Sequence, residues 1–367
     1  VVSRFLFATG PGQRLALACL LALAVLAPSS ALGAAPTGPR LAANVFHVYP
    51  NAGTEVKALG PLGEAPLRLA GGQDGSLPEP LANARPAWSP DGELLAFTGG
   101  AHGTTGLYVV RADGSHLRLL RSSRGVLFQG DPVFTPDGRA LVVTTIQRVR
   151  GQFERPQRNN PSEQKLDVRF ALWAIGVGGA PPRPVTPWQR RAILTPSSFS
   201  PDGRSLVATA YDGQGQRVVA IPVGDGLHRG MRVLAENARE PVLSPDGSRL
   251  AFARDRLGPA YGGGKGRVIG SDLLSMPFLG GSPTIVTSVP GGLRWPSWDP
   301  SGRRLAFTGL SGTGPAIGSA DPHQGNSVMQ INADGSCLSR VFTTGRGIIY
   351  GSVWQPGPDR EAGPIAC

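Results

Sequence analysis

Apolar and polar residues alternate along most of the chain in short runs, and glycine- and proline-containing turns separate the runs. This is the pattern of half-buried strands. One phrase recurs five times: "PAWSPDGELLAFTGG" (86–100), "PVFTPDGRALVVTTI" (132–146), "SSFSPDGRSLVATAY" (197–211), "PVLSPDGSRLAFARD" (241–255) and "PSWDPSGRRLAFTGL" (296–310). A partial sixth copy, "SVWQPGPD", begins at 352. Each copy reads as strand, four-residue turn, strand. In the turn, proline presets φ, aspartate (Asp91, Asp137, Asp202, Asp246) tolerates the third position and glycine takes the left-handed exit. The fifth copy has Ser301 in place of the aspartate.

The apolar positions of the copies match. Before the turn stand Trp88, Phe134, Phe199, Leu243, Trp298 and Trp354; three residues beyond the glycine stand Leu95, Leu141, Leu206, Leu250 and Leu305. One bulky group and one leucine per repeat mark stacked units that share a core, so these aromatic residues are expected to be packing anchors. A second hairpin follows most copies, most plainly "GLYVVRADGSHLRLL" (106–120), "LLSMPFLGGSPTIVT" (273–287) and "VMQINADGSCLSRVF" (328–342). Four strands per unit predict an all-β six-bladed propeller of four-stranded antiparallel blades over 44–367. Residues 44–70 read as a second hairpin without a first, and "SVWQPGPD" as a first strand without a second hairpin. Joined in one blade they close the ring, with "REAGPIAC" left to serve as the second strand.

The phrases "PAWSPDGELLAF" and "LYVVRADGSHLRLL" resemble the TolB-type propeller repeat, which recurs in TolB and in the propellers of prolyl oligopeptidase relatives. The resemblance spans about residues 44 to 360. It implies the six-bladed fold, here without the α/β domain that precedes the propeller in TolB and without a hydrolase domain. No G-x-S-x-G elbow occurs, so no peptidase activity follows from it.

The amino-terminal segment changes the setting. Arg4 and Arg14 precede the apolar run "LALACLLALAVLA" (15–27), and small residues follow at Ala31 and Gly33. Residues 1–33 read as a signal peptide and 34–43 as a short linker, which points to export to the periplasm, the cell envelope or the medium. A retained anchor is the alternative, although thirteen apolar residues fall short of the ~20 that span a bilayer. Loss of the leader removes Cys19 and leaves Cys337 and Cys367, an even pair that points to one disulfide pinning the tail. Loss of Arg4 and Arg14 takes the net charge from +11 to +9. That balance favours anionic partners, but the arginines are scattered, and no specific nucleic acid is expected.

Candidate chemistry is sparse. The five histidines, His47, His102, His116, His228 and His323, show no metal-ligand spacing, and no metal or cofactor is expected. "GPAYGGGKGR" (258–267) fails as a phosphate loop at Pro259 and Gly266. The longest insertions, 147–169, 254–272 and 310–327, all fall between second and third strands and so share one face of the propeller. The first carries Arg148, Arg150, Arg155, Arg158, Lys165 and Arg169, a set suited to an acidic partner. The expectation is a monomeric, non-enzymatic binder that recognises an envelope or extracellular protein, or an acidic glycan, on the long-loop face. Two alternatives stay open: a lyase- or lactonase-type propeller enzyme acting at the channel mouth, and a structural envelope component.

Overall fold

The computed structural model describes residues 40–47, 53–59, 66–71, 79–80, 84–101, 104–122, 127–149, 168–213, 215–224, 230–259, 268–310, 327–343, 347–357 and 365–367. Residues 1–33, read above as a signal peptide, lie outside them. The described residues form six antiparallel sheets arranged as the blades of a propeller.

Blade 1 holds β4 (Glu79–Pro80), β5 (Ala87–Trp88), β6 (Leu94–Ala101), β7 (Thr104–Arg111) and β8 (Arg118–Ser122). Blade 2 holds β9 (Leu127–Phe134), β10 (Ala140–Arg148), β11 (Val168–Gly176) and β12 (Arg183–Pro184). Blade 3 holds β13 (Ile193–Phe199), β14 (Ser205–Asp212), β15 (Gly215–Pro222) and β16 (Arg232–Glu236). Blade 4 holds β17 (Arg239–Leu243), β18 (Arg249–Leu257), β19 (Val268–Pro277) and β20 (Thr284–Pro290). Blade 5 holds β21 (Gly292–Trp298), β22 (Arg304–Leu310), β23 (Ser327–Asn332) and β24 (Ser339–Thr343). The inner strands touch in sequence, from β5 through β9, β13, β17 and β21 to β25 (Gly347–Trp354) and back to β5. The ring of described strands is closed, and the inner edges of the blades face the channel.

The closing sixth blade combines the two ends of the described chain, in the order β25, β1 (Leu41–His47), β2 (Gly53–Leu59), β3 (Leu67–Gly71). Closure by a shared blade holds, but the division of labour differs from the expected one. The amino-terminal segment supplies three strands and the carboxyl end only one. "REAGPIAC" is not the second strand; β1 is, beginning at Leu41 inside the stretch read as linker. Gln355 N still donates to Arg40 O (2.8 Å), but Pro356, two residues past Trp354, cannot donate to a ladder, and the strand does not continue. Beyond it the tail returns to blade 5, where Ile365 exchanges two hydrogen bonds with Asn332 (2.8 and 3.0 Å) and Cys367 is disulfide-bonded to Cys337.

Packing follows the repeat. Leu95, Leu141, Leu206, Leu250 and Leu305 are each fully buried. The cores lie between blades: Trp88, Leu95 and Phe97 of blade 1 pack on Ala42, Val56 and Ala58 of blade 6. Two wall tryptophans also bond across the seam. Trp88 Nε1 donates to Val353 O and Trp298 Nε1 to Val242 O, each at 3.2 Å and each to the preceding blade. Every blade therefore needs its neighbour, as stacked repeats do.

The recurrent turn is tighter than the sequence suggests. Ser89, Thr135, Ser200 and Ser244 each donate a hydroxyl hydrogen bond to the aspartate two residues on, at 2.5–2.6 Å. The same aspartate oxygen accepts the backbone N–H two residues further along, at 3.0–3.1 Å. The aspartate is thus a working acceptor rather than a tolerated residue. The Ser244 hydroxyl and the Ser248 N–H hold the Asp246 carboxyl down at about 2.

Candidate functional site

The six inner strands enclose an axial cavity of about 570 Å³ at the end of the channel where the recurrent turns lie. Its wall is built from Trp88, Phe134, Phe199, Leu243, Trp298 and Trp354. The turn prolines Pro90, Pro136, Pro201, Pro245, Pro300 and Pro356 surround its mouth. The wall residues pack in the cores between blades and line the cavity as well. Serine hydroxyls interrupt the apolar surface, among them Ser197, Ser198 and Ser297. Ser198 Oγ accepts from Leu243 N (2.9 Å) and Ser297 Oγ from Trp354 N (3.2 Å), so these serines join neighbouring blades. Among the described residues that line the cavity there is no His, Cys, Lys, Asp, Glu or Tyr.

Arg85 sits at the inner end. Blade 1 breaks its inner edge around this residue: β4 and β5 both pair with β6, and Arg85 and Pro86 stand between them outside the ladder. The released side chain spans the channel. Its Nη2 donates to Ser197 O (3.2 Å) and Ser197 Oγ (3.3 Å) on blade 3, and its Nη1 to Pro296 O (3.4 Å) on blade 5. Asp131 of blade 2 accepts Arg85 N at 2.7 Å and stands 3.6 Å from Nε. The stem presses on blade 6, where a Cβ placed on Gly351 would lie 2.6 Å from Arg85 Cγ. Arg85 thus links blade 1 to blades 3 and 5 across the channel at the inner side of the cavity.

Arg85 belongs to a ring. The residues three positions before the six wall residues are Arg85, Asp131, Pro196, Glu240, Trp295 and Gly351. Glu240 (φ 54°) and Trp295 (φ 52°) adopt the left-handed backbone region although neither is glycine. Such strain persists only where neighbours fix it, and here they do. Glu240 Oε2 accepts Trp295 N (2.6 Å), Glu240 N donates to Thr209 Oγ1 (2.8 Å), and Arg294 Nη1 lies 3.4 Å from Glu240 Oε1. Arg239 is 1 % exposed and donates to Asp255 (2.7 Å) and Leu293 O (3.0 Å). Burial pushes the Asp131 carboxyl up to about 6 against the pull of Arg85, and Glu240 adds to the rise. Burial, together with Glu240, pushes the Tyr211 hydroxyl up to about 12.

The sequence carried a signal for this ring: "ARPAW", "GDPVF", "REPVL" and "LRWPSW" place a charged residue and a proline in strands otherwise read as apolar. Pro86, Pro132, Pro241 and Pro296 have no N–H to leave unpaired on an inner edge that faces the channel.

The basic insertion is placed only in part. Arg150, Arg155, Arg158 and Lys165 lie outside the described residues, as does the side chain of Arg148. Arg169 donates to Gln147 Oε1 from Nε (2.9 Å) and Nη2 (2.6 Å), and its guanidinium lies 4.8 Å from the Trp188 ring centre. No group of three metal-capable side chains occurs among the described residues.

No protein-family model matches the chain. Its fold is similar to that of TolB from Acinetobacter baumannii, with a TM-score of 0.62 at 16% identity, over 88% of this chain and 68% of that one. The chain has the propeller fold seen in TolB. A putative TolB from Agrobacterium tumefaciens gives a TM-score of 0.54 at 18% identity over 84% of this chain and 91% of that one. A chain of a nidogen–laminin complex gives 0.54 at 11% identity over 87% of this chain and 98% of that one. In sequence, the chain is 27% identical over 171 residues to the uncharacterized peptidase YuxL of Bacillus subtilis, a match covering 46% of this chain and 21% of that protein. The match thus spans about a fifth of that relative's length. At these identities the likenesses establish the fold, and function has to be argued from the site.

Proposed function

We propose that this TolB-like propeller is an exported, non-enzymatic binding protein that admits a segment of a protein partner into the turn-side cavity. The observation that carries this reading is the composition of the cavity. All six blades contribute to it, aromatic side chains and prolines form its walls, and it lies within the ~300–1,000 Å³ range of ligand pockets. Buried aromatic pockets of this kind anchor protein contacts. The lining offers no acid–base pair and no activated nucleophile, which favours binding over a lyase- or lactonase-type reaction. The leader 1–33 and the Cys337–Cys367 bond support an exported setting. The basic 147–169 insertion would add a contact for an acidic region of the same partner.

Leu243→Trp tests this role. Wall positions 88, 298 and 354 already hold tryptophan, so a fourth fits the strand and fills the cavity. The variant is expected to unfold within a few degrees of the parent and to lose the partner that the parent captures from a native envelope extract. Undiminished capture would place the binding surface elsewhere. Captured material released by a glycosidase and not by a protease would replace the protein partner with a glycan.

A further inference from the structure

Arg85 is the one charged side chain among the described residues that line the cavity. It stands at the inner side, and the other described lining residues carry no charge. Its hold on the surroundings is loose for a buried guanidinium. The three side-chain hydrogen bonds are 3.2–3.4 Å long and go to neutral oxygens, and the Asp131 carboxylate stands 3.6 Å from Nε. Charge-assisted N–H···O bonds to a carboxylate run to ~2.7–2.9 Å, and a guanidinium accepts one with two parallel bonds.

We propose that the cavity is specific for the carboxyl terminus of a polypeptide, with the terminal carboxylate on Arg85 and apolar last residues against the aromatic wall. Three features point to this ligand. Arg85 reaches across the channel to blades 3 and 5, which favours a chain end that meets the guanidinium over a segment that runs past it. Among the described lining residues the one charge is positive, with the Asp131 carboxylate beside it at 3.6 Å from Nε, and this favours a terminal carboxylate over a terminal ammonium. Ser197, Ser198 and Ser297 each accept one bond from the protein, from Arg85, Leu243 and Trp354, and each carries an O–H of the kind that suits a main-chain carbonyl. The inference rests on the cavity being a binding site, as proposed above, and adds the chemistry of its occupant.

The test uses the protein without its leader and a library of hexapeptides randomised at the last four residues. The library is made once with free carboxyl termini and once as carboxyl amides. Binding is read by the fluorescence of Trp88, Trp298 and Trp354, with dodecanoate as a second probe. Free-acid peptides with apolar termini are expected to be enriched and to bind at least about tenfold more tightly than their amides. In Arg85→Gln that ratio should fall to near unity. The acid-to-amide contrast is measured on the unaltered protein, so it decides even where the variant does not fold. Equal binding of acids and amides, no selected peptide, or dodecanoate binding as tightly as the best peptide would overturn the inference. If Leu243→Trp still abolishes partner capture in that event, the cavity keeps its binding role and only the carboxylate specificity fails. If Leu243→Trp leaves capture intact, the cavity itself is not the site.

Discussion

Asp299 and Ser301 have exchanged places. In four of the turns a hydroxyl at the first position donates to an aspartate at the third; in the fifth, Ser301 Oγ donates back to Asp299 Oδ2 at 2.7 Å. The hydrogen bond survives with its direction reversed. The exchange also draws the carboxylate inward, where Asp299 is fully buried, accepts Arg303 N and Arg304 N (both 2.9 Å) and pairs with Arg304 Nε at 3.3 Å. Arg304 in turn lies over the Trp354 ring, 4.9 Å from its centre. Asp299→Ala strands a buried guanidinium and two N–H groups, with an expected loss of about 3 kcal/mol or more. Asp91→Ala, in an exposed turn, is expected to cost about 1 kcal/mol. Urea unfolding of both variants checks the ordering, and equal losses would refute it.

Gly247 is held by its neighbour as well as by its backbone. Its φ is +70°, and a Cβ there would stand 2.6 Å from Pro201 Cδ; at Gly138 (φ +68°) the corresponding approach, to Pro90 Cδ, is 3.7 Å. Both substitutions to alanine strain the turn, but only Gly247→Ala also displaces the neighbouring blade's turn. Gly247→Ala is expected to be the more destabilising by about 1 kcal/mol or more, as thermal unfolding of the pair would show.

Most of the fold was legible because the turn chemistry and the buried leucines repeat. A proline, an acceptor and a left-handed glycine occur at fixed offsets from Trp88 and its counterparts, and nothing but stacked hairpins satisfies all of them. The split of the closing blade was less legible, since β1 (LAANVFH) is an ordinary strand with no repeat phrase to mark its register. Arg85 was missed for a different reason. Arginine is normally an exposed residue, and only the register of all six inner strands shows that position 85 falls in the same ring as Asp131 and Glu240. The basic insertion stood out by charge density, a property that does not reveal what a side chain touches.

The Asp131 carboxyl gives stability a definite pH dependence. Its folded value is raised to about 6 from an ordinary 3.8, chiefly by burial. The folded state therefore holds a proton that the unfolded state has released between these values. The stabilisation from this group is complete below about pH 4 and is lost as pH rises through about 6. Across that window the wild type should lose up to about 3 kcal/mol relative to Asp131→Asn. Urea titrations at pH 4.5, 6 and 7.5 read the difference, and parallel pH profiles for the two proteins would contradict it.

The Cys337–Cys367 bond closes a loop with a sequence separation of 30 residues. Chain-entropy arithmetic assigns such a bond about 3–4 kcal/mol. Replacing both cysteines by serine is expected to lower unfolding stability by up to that amount and to raise amide exchange at Ile365, whose N–H bonds Asn332. Unchanged exchange there would mean that the asparagine holds the tail without the disulfide.

Photo-crosslinking in the native host tests most directly whether the turn-side cavity is where a partner binds. A benzophenone side chain replaces Phe199 on the cavity wall, and in a control it replaces Leu279, which is 90% exposed outside the cavity. A covalent adduct with one protein partner is expected at position 199, absent at 279 and abolished when Leu243→Trp is added. No adduct at 199, with strong adducts from probes in the 147–169 insertion, would contradict the cavity as the site and move recognition to the long-loop face.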